Sequence, residues 1–270
     1  MKGWGSKLKI YWRILRANLI NTFQTETAYF GNNWGNMIST IIYVTVQILF
    51  INVIYSRVNT FAGYDKNEMY FLLFIGQFGF YLLWGISEMN NQTLIKDINR
   101  GSLDFLLVLP VPSLWYVTFR KIPLLSVARD GLPNIIIIFF LIDWSNIHVS
   151  LINFILGLIV FVFGQIAWES FNFLLVLPAF WTGEAKQIYS LNYNLRDNNQ
   201  IPWEGYTPFF QFSLSFFVPT LLLSSIPVSI MLGKASALYL LPFTFFITLM
   251  LLMIKKKLWD LALKNYTSAS

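Results

Sequence analysis

The chain has 270 residues, of which 56% are hydrophobic and 18% aromatic, while only 12% are charged. A soluble domain carries roughly 25% charged residues, so this much apolar surface cannot be hidden from water in one globule, and the chain reads as an integral membrane protein. The net charge of +6 then belongs to basic flanks that hold membrane orientation rather than to a nucleic-acid surface; no nucleic-acid partner is expected.

The first 33 residues read as an amphipathic helix. Leu8, Trp12, Leu15 and Leu19 fall on one side, while Lys9, Arg13 and Arg16 share another. Such a helix lies in the interface, with its apolar face in the headgroup layer and its basic face toward anionic lipid. A signal peptide does not fit, because the first long apolar run begins only at Met37 and lacks a small-x-small cleavage pattern.

Residues 34–264 hold the spans, since a crossing needs ~20 apolar residues. Charge-free runs place them at about 36–56, 69–87, 122–142, 149–174, 206–233 and 235–254, with 265–270 as a tail. The run from 149 continues past Glu169 and Asn172 to Trp181, too long for a straight crossing. Residues 182–204 are polar and read as a cytoplasmic loop. The run 206–233 is broken by Pro219 and Pro227, and reads as a fifth span followed by a short helix dipping back into the outer leaflet. Proline at that depth requires neighbouring protein to satisfy the freed carbonyls.

Between the second and third spans lies 93–112, TLIKDINRGSLDFLLVLPVP, a charged interruption carrying Lys96, Asp97, Arg100 and Asp104. Residues 91–99 read as a short helix at the membrane face. Gly101 would end it, as only glycine enters a left-handed cap without steric cost. Leu103 and Asp104 start a second short element, which Pro110 and Pro112 stop. Lying between two spans, such a helix is either a lever for a soluble partner or an ordinary loop.

Basic residues set the topology. With the N-terminus inside, the cytoplasmic pieces hold Lys2, Lys7, Lys9, Arg13 and Arg16, then Lys96, Arg100, Arg120, Lys121, Lys186 and Arg196, then Lys255, Lys256, Lys257 and Lys264. The outer pieces hold Arg57, Lys66 and Lys234. The bias places both termini in the cytoplasm.

Catalytic chemistry has little to work with. The absence of cysteine rules out disulfides and thiolate metal sites, and the one histidine, His148, sits in a short connection. The sequence holds no Gly-x-x-x-x-Gly-Lys-Ser/Thr loop for nucleotide phosphates. No catalytic residue and no metal site is expected.

The ordered run Ile98-x-x-Gly101-x-Leu103-Asp104-x-Leu106-Leu107-x-x-Pro110 resembles the loop after the second span in type-2 permeases of ABC exporters. Phe217-x-Pro219, Ile226-Pro227 and Met231-Leu232-Gly233-Lys234 follow in the family's order, with Ala179-Phe180-Trp181 as a weaker match between them. The resemblance implies an all-α integral membrane protein of six transmembrane helices, with the N-terminal helix at the interface and a short cytoplasmic coupling helix between spans 2 and 3. It implies a subunit in the cell (inner) membrane that dimerises with an identical or paralogous permease. Separate ABC ATPase subunits would grip the loop around Gly101 and Asp104. ATP and Mg²⁺ would bind those partners, not this chain, whose own contacts would be with the ATPase, the second permease, lipid and substrate. A stand-alone ion-coupled transporter or channel is the alternative; it would show internal repeats and several buried ionisable residues.

Two features admit two readings. Phe209, Phe210, Phe212, Phe216 and Phe217 are either a lining for an amphiphilic substrate or lipid-facing packing. Arg129, Asp130 and Glu169 lie within predicted spans. Arg129 and Asp130 are adjacent on a helix, about 100° apart, and so are expected not to face each other. Depth places Arg129 and Glu169 at overlapping levels, so they either form an ion pair between the third and fourth spans or lie apart in headgroup water.

Overall fold

The computed structural model describes residues 4–28, 34–182, 185, 188–190, 195 and 200–266, with side chains from residue 9 onward. Lys2, Lys186 and Arg196, and the side chains of Lys7 and Leu8, lie outside this set. Among the described residues every regular element is helical, apart from one isolated bridge between Phe61 and Tyr64.

The helices are α1 (Trp4–Ala28), α2 (Trp34–Tyr55), α3 (Lys66–Leu83), α4 (Met89–Asn99), α5 (Asp104–Leu107), α6 (Ser113–Phe119) and α7 (Leu124–Leu141). After them come α8 (Leu151–Val176), α9 (Ala179–Thr182), α10 (Pro208–Phe216), α11 (Ser225–Met231) and α12 (Ala237–Asn265). Five helical stretches are long and apolar enough to cross a bilayer: Trp34–Tyr55, Lys66–Asn99, Leu124–Leu141, Leu151–Thr182 and Ala237–Asn265. They answer to the expected spans at 36–56, 69–87, 122–142, 149–174 and 235–254.

Local chemistry explains the ends. Asp65 and Glu68 form a reciprocal capping box at the start of α3, each side chain accepting from the other's backbone N–H. Ser150 caps α8 by accepting from the N–H of Asn153. Asp143 accepts from the Ser145 N–H and from the Ser145 and Asn146 side chains, and these bonds hold its carboxyl below the usual range.

Two expectations are corrected. Residues 91–99 are not a separate helix between two spans: α3 runs on through a π turn at Trp84–Glu88 directly into α4. The short separate elements are α5 and α6. Residues 206–233, read as a fifth span and a short helix dipping back, form no single helix of spanning length but two short ones, α10 and α11. The connecting residues 217–224 hold the buried run Pro219 to Ser224, so this break in the helix sits inside protein, as membrane-depth backbone requires.

The stretch before α10 also lies elsewhere than expected. Ser225 donates to the carbonyl of Ile201, Glu204 accepts from the Ser229 hydroxyl, and Gly205 packs near Ala62. Trp203 and Glu204, expected in a loop on the Gly101 side, therefore sit at the opposite end, beside Tyr64. There Lys234 pairs with Glu68 at 2.9 Å, donates to the Gly63 carbonyl and covers the Tyr64 ring. Burial, and next the Glu204 charge, push the Tyr64 hydroxyl above the usual tyrosine range. Tyr189, by contrast, donates to Glu88 near the Gly101 end. Described residues on either side of 191–199 thus occupy opposite halves of the molecule.

The core divides by depth. At the Tyr64 end Ile51, Met69, Leu72, Ile138, Val228 and Met231 pack together. In the middle Val160, Leu222, Ile226, Ile230 and Ile247 join α8, α11 and α12. Here the connection leading into α11 lies almost on the α8 backbone: a Cβ on Gly164 would stand 1.9 Å from the Leu222 carbonyl oxygen. Close backbone approach through glycine is how helices pack where lipid removes the hydrophobic drive.

Candidate functional site

The residues singled out between spans 2 and 3 form a braced platform at one end of the molecule. At its base the Asn90 side chain donates to the Lys121 carbonyl at 2.7 Å and accepts from the Lys121 N–H at 3.0 Å, closing the loop like a single rung of sheet. One level further, Arg120 pairs with Asp97 at 2.5 Å, and Asp97 also accepts from Ser102 at 3.0 Å. Gly101 then turns the chain with φ 68°. The N–H of Ser102 reaches the Asp97 carbonyl and that of Gly101 reaches Ile98, the paired bonds of a Schellman cap. The predicted glycine cap is therefore present.

Beneath the turn, Leu94, Ile95, Ile98, Leu103 and Val117 are buried against Phe173, Val176 and Leu177 of α8 and its extension, and against Trp259 and Ala262 of α12. Trp259 also donates to the Ser113 hydroxyl. Lys96, Arg100 and Pro110 are exposed, and Asp104 opens the first turn of α5 half-buried. The tip carries Phe105, 76% exposed, and Val108, 82% exposed. Both occupy unspecified positions in the sequence pattern, so nothing there singled them out. Their signal is the apolar residue on the side of a four-residue helix opposite buried Leu103.

The other candidate residues are not gathered at this platform. Pro219 and Pro227 are buried in the α10–α11 region, and Gly233, at φ 70°, ends α11 with a second Schellman pair: Gly233 to Ile230 and Lys234 to Ser229. Phe209, Phe210, Phe212 and Phe217 are exposed around α10, with Phe216 stacked on Phe212.

Neither of the two readings of Arg129 and Glu169 holds: they do not pair with each other, and neither stands in open headgroup water. Arg129 makes a two-point pair with its neighbour Asp130 at 2.6 and 2.7 Å, both side chains buried. Glu169 receives both bonds of a buried Lys255 ammonium at 2.8 and 2.7 Å, and Lys255 also covers the Phe173 ring. Lys255 is thus not a flank that closes the last span. The helix runs on to Asn265. Adjacent helical residues diverge at Cα, but the long arginine stem curls back, and its planar fork fits a carboxylate at two points.

Five apolar helices joined through a braced polar loop define a multi-pass membrane protein. Residues 41–270 match the family model described as ABC-2 family transporter protein, and the chain belongs to that family. No curated protein and no solved structure matches the chain.

Proposed function

We propose that the chain is the transmembrane subunit of an ATP-driven exporter in the cell membrane, with both termini cytoplasmic. It would pair with a second permease subunit, identical or paralogous, to enclose the substrate path. Separate ATPase subunits, which bind ATP and Mg²⁺, would drive it through the 91–112 loop; the chain itself performs no hydrolysis.

One observation carries this reading: Phe105 and Val108 stand exposed at the tip of a platform whose underside is buried and cross-linked. Exposed apolar side chains on a rigid support mark a docking site for another protein. A push on that tip would pass through Leu103 and Ile98 to α4, α8 and α12, the rigid-body displacement that alternating access needs. The stand-alone ion-coupled reading would need ionisable groups free to take an ion, whereas Arg129, Asp130 and Glu169 are each engaged by another side chain.

The test is co-purification with the ATPase produced alongside this chain. Phe105→Asp and Val108→Asp, both on the surface, should leave insertion intact and cut recovered ATPase about tenfold or more, as loss of a central apolar contact does. Undiminished recovery with both variants would reject the loop as the docking site.

A further inference from the structure

We propose that the pocket between α1 and the α6–α7 junction binds a phosphate group. The pocket has a volume of about 300 Å³ and is lined by Asn18, Asn21, Thr22 and Thr25 of α1 and, across from them, by Arg120 and Lys121. It adjoins the loop platform, but the exposed tip at Phe105 and Val108 is not part of it.

Arg120 is the central observation. Its side chain is only 7% exposed, yet only Nη1 is engaged, by Asp97. Nε and Nη2 are buried and meet no acceptor among the described residues. Buried guanidinium donors of this kind are ordinarily satisfied, and their fork geometry matches phosphate oxygens at two points. Lys121 adds a second cation at the same wall. Its ammonium is held at 3.3 Å from the Thr93 hydroxyl. Burial, and then the neighbouring Arg120 charge, hold it below the ordinary lysine range; an anion in the pocket would relieve both effects.

The acidic groups nearby are already committed. Glu26 lines the pocket, but its two oxygens accept from the backbone N–H groups of Ser126 at 2.8 Å and Leu125 at 3.1 Å, so its charge answers the N-terminus of α7. Asp97 is shared between Arg120 and Ser102. The amide and hydroxyl side chains on α1 supply neutral hydrogen-bonding groups suited to the remaining phosphate oxygens.

Position identifies the source. On the other side of α1, Trp12, Ile20 and Phe23 are 63%, 46% and 48% exposed. Tryptophan and aliphatic residues on an amphipathic helix lie at headgroup depth, where lipid phosphodiesters are the abundant phosphate. Inorganic phosphate shares the chemistry, and the experiment separates the two.

The full chain is purified in detergent and exposed either to phosphatidylglycerol or to diacylglycerol with the same acyl chains, and retained lipid is counted by native mass spectrometry. The expected result is about tenfold more retained phosphatidylglycerol than diacylglycerol, one decade in affinity. Arg120→Gln and Thr22→Asp should each bring retention down to the diacylglycerol level. Thr22→Asp leaves the Arg120–Asp97 brace untouched, so it decides alone if Arg120→Gln fails to fold. Displacement of the lipid by millimolar inorganic phosphate would identify a site for phosphate itself; resistance to it would identify a lipid headgroup site. Equal retention of the two lipids, or wild-type retention in either folded variant, would overturn the proposal.

Discussion

Replacing glycine by alanine at four helical positions should change stability in an order that the geometry fixes. At Gly164 the new Cβ would lie 1.9 Å from the Leu222 carbonyl oxygen and 2.7 Å from its carbon, both backbone atoms. The contact between α8 and the 217–224 connection must therefore open by more than about 1 Å, an overpacking cost of about 3 kcal/mol. Alanine recovers about 1 kcal/mol of helix propensity, leaving a net loss of about 2 kcal/mol. At Gly157 the nearest atom, 2.4 Å away, is the Met231 Cγ, which can swing aside, and the next is the Pro227 carbonyl oxygen at 2.8 Å; the net loss should be about 1 kcal/mol or less. At Gly76 the neighbour is the Ser224 hydroxyl at 3.4 Å, an ordinary contact, and at Gly35 nothing lies within 4 Å. Those two variants should gain up to about 1 kcal/mol. Thermal unfolding in detergent, followed by tryptophan fluorescence, ranks the four. A Gly164→Ala protein as stable as Gly35→Ala would refute the close approach of the 217–224 connection to α8.

Two further substitutions test the ends of the argument. Gly101→Val places a β-branched residue at φ 68° and should cost about 1–3 kcal/mol locally, reducing recovered ATPase while insertion persists; Gly101→Asn, which tolerates that region, should be milder. Lys255→Met strands a Glu169 carboxylate that is 12% exposed and should lower stability by about 3–5 kcal/mol. The double variant with Glu169→Leu should regain most of that, and a harmless single variant would place the pair in water.

Much of the fold is legible in the sequence because single-helix crossings leave a local signature, a charge-free run of sufficient length. Gly101 is legible for the same reason: a left-handed cap is a property of a few consecutive residues. The stretch from Tyr189 to Gly233 is not. Its charge-free part, from 206, has the length of a span, but Pro219 and Pro227 divide it. Which side of the break faces which end depends on contacts such as Ser229 with Glu204 and Gly164 with Leu222, between residues far apart in the chain. Residues 200–204 read as cytoplasmic on composition alone, as part of the polar stretch 182–204. In the folded chain the Glu204 carboxylate accepts from Ser229 and acts on Tyr64, and the Ile201 carbonyl accepts from Ser225. The platform tip was equally hidden, since apolar Phe105 and Val108 look like span residues until Leu103 is seen to take the buried position.

The intramembrane charges show where depth reasoning stops. Each needs a partner, and each has one, but depth does not choose it; helix adjacency does. The third-span helix α7 packs on α2 and α3, whereas α8 packs on α11 and α12. Arg129 and Glu169 are therefore on different sides of the bundle whatever their level. Arg129 closes on Asp130, whose backbone carbonyl accepts from Thr40 and Asn134. Glu169 faces α12 and takes Lys255, one helical turn before Trp259. Lys255 lies over Phe173, and Phe173 and Trp259 pack together at a centroid distance of 5.6 Å within the platform's core. The ion pair therefore ties α8 to α12 directly beneath the surface on which the platform rests. A displacement of the loop tip must move these two helices as one body or break the pair, and breaking it costs more than a sliding apolar contact would.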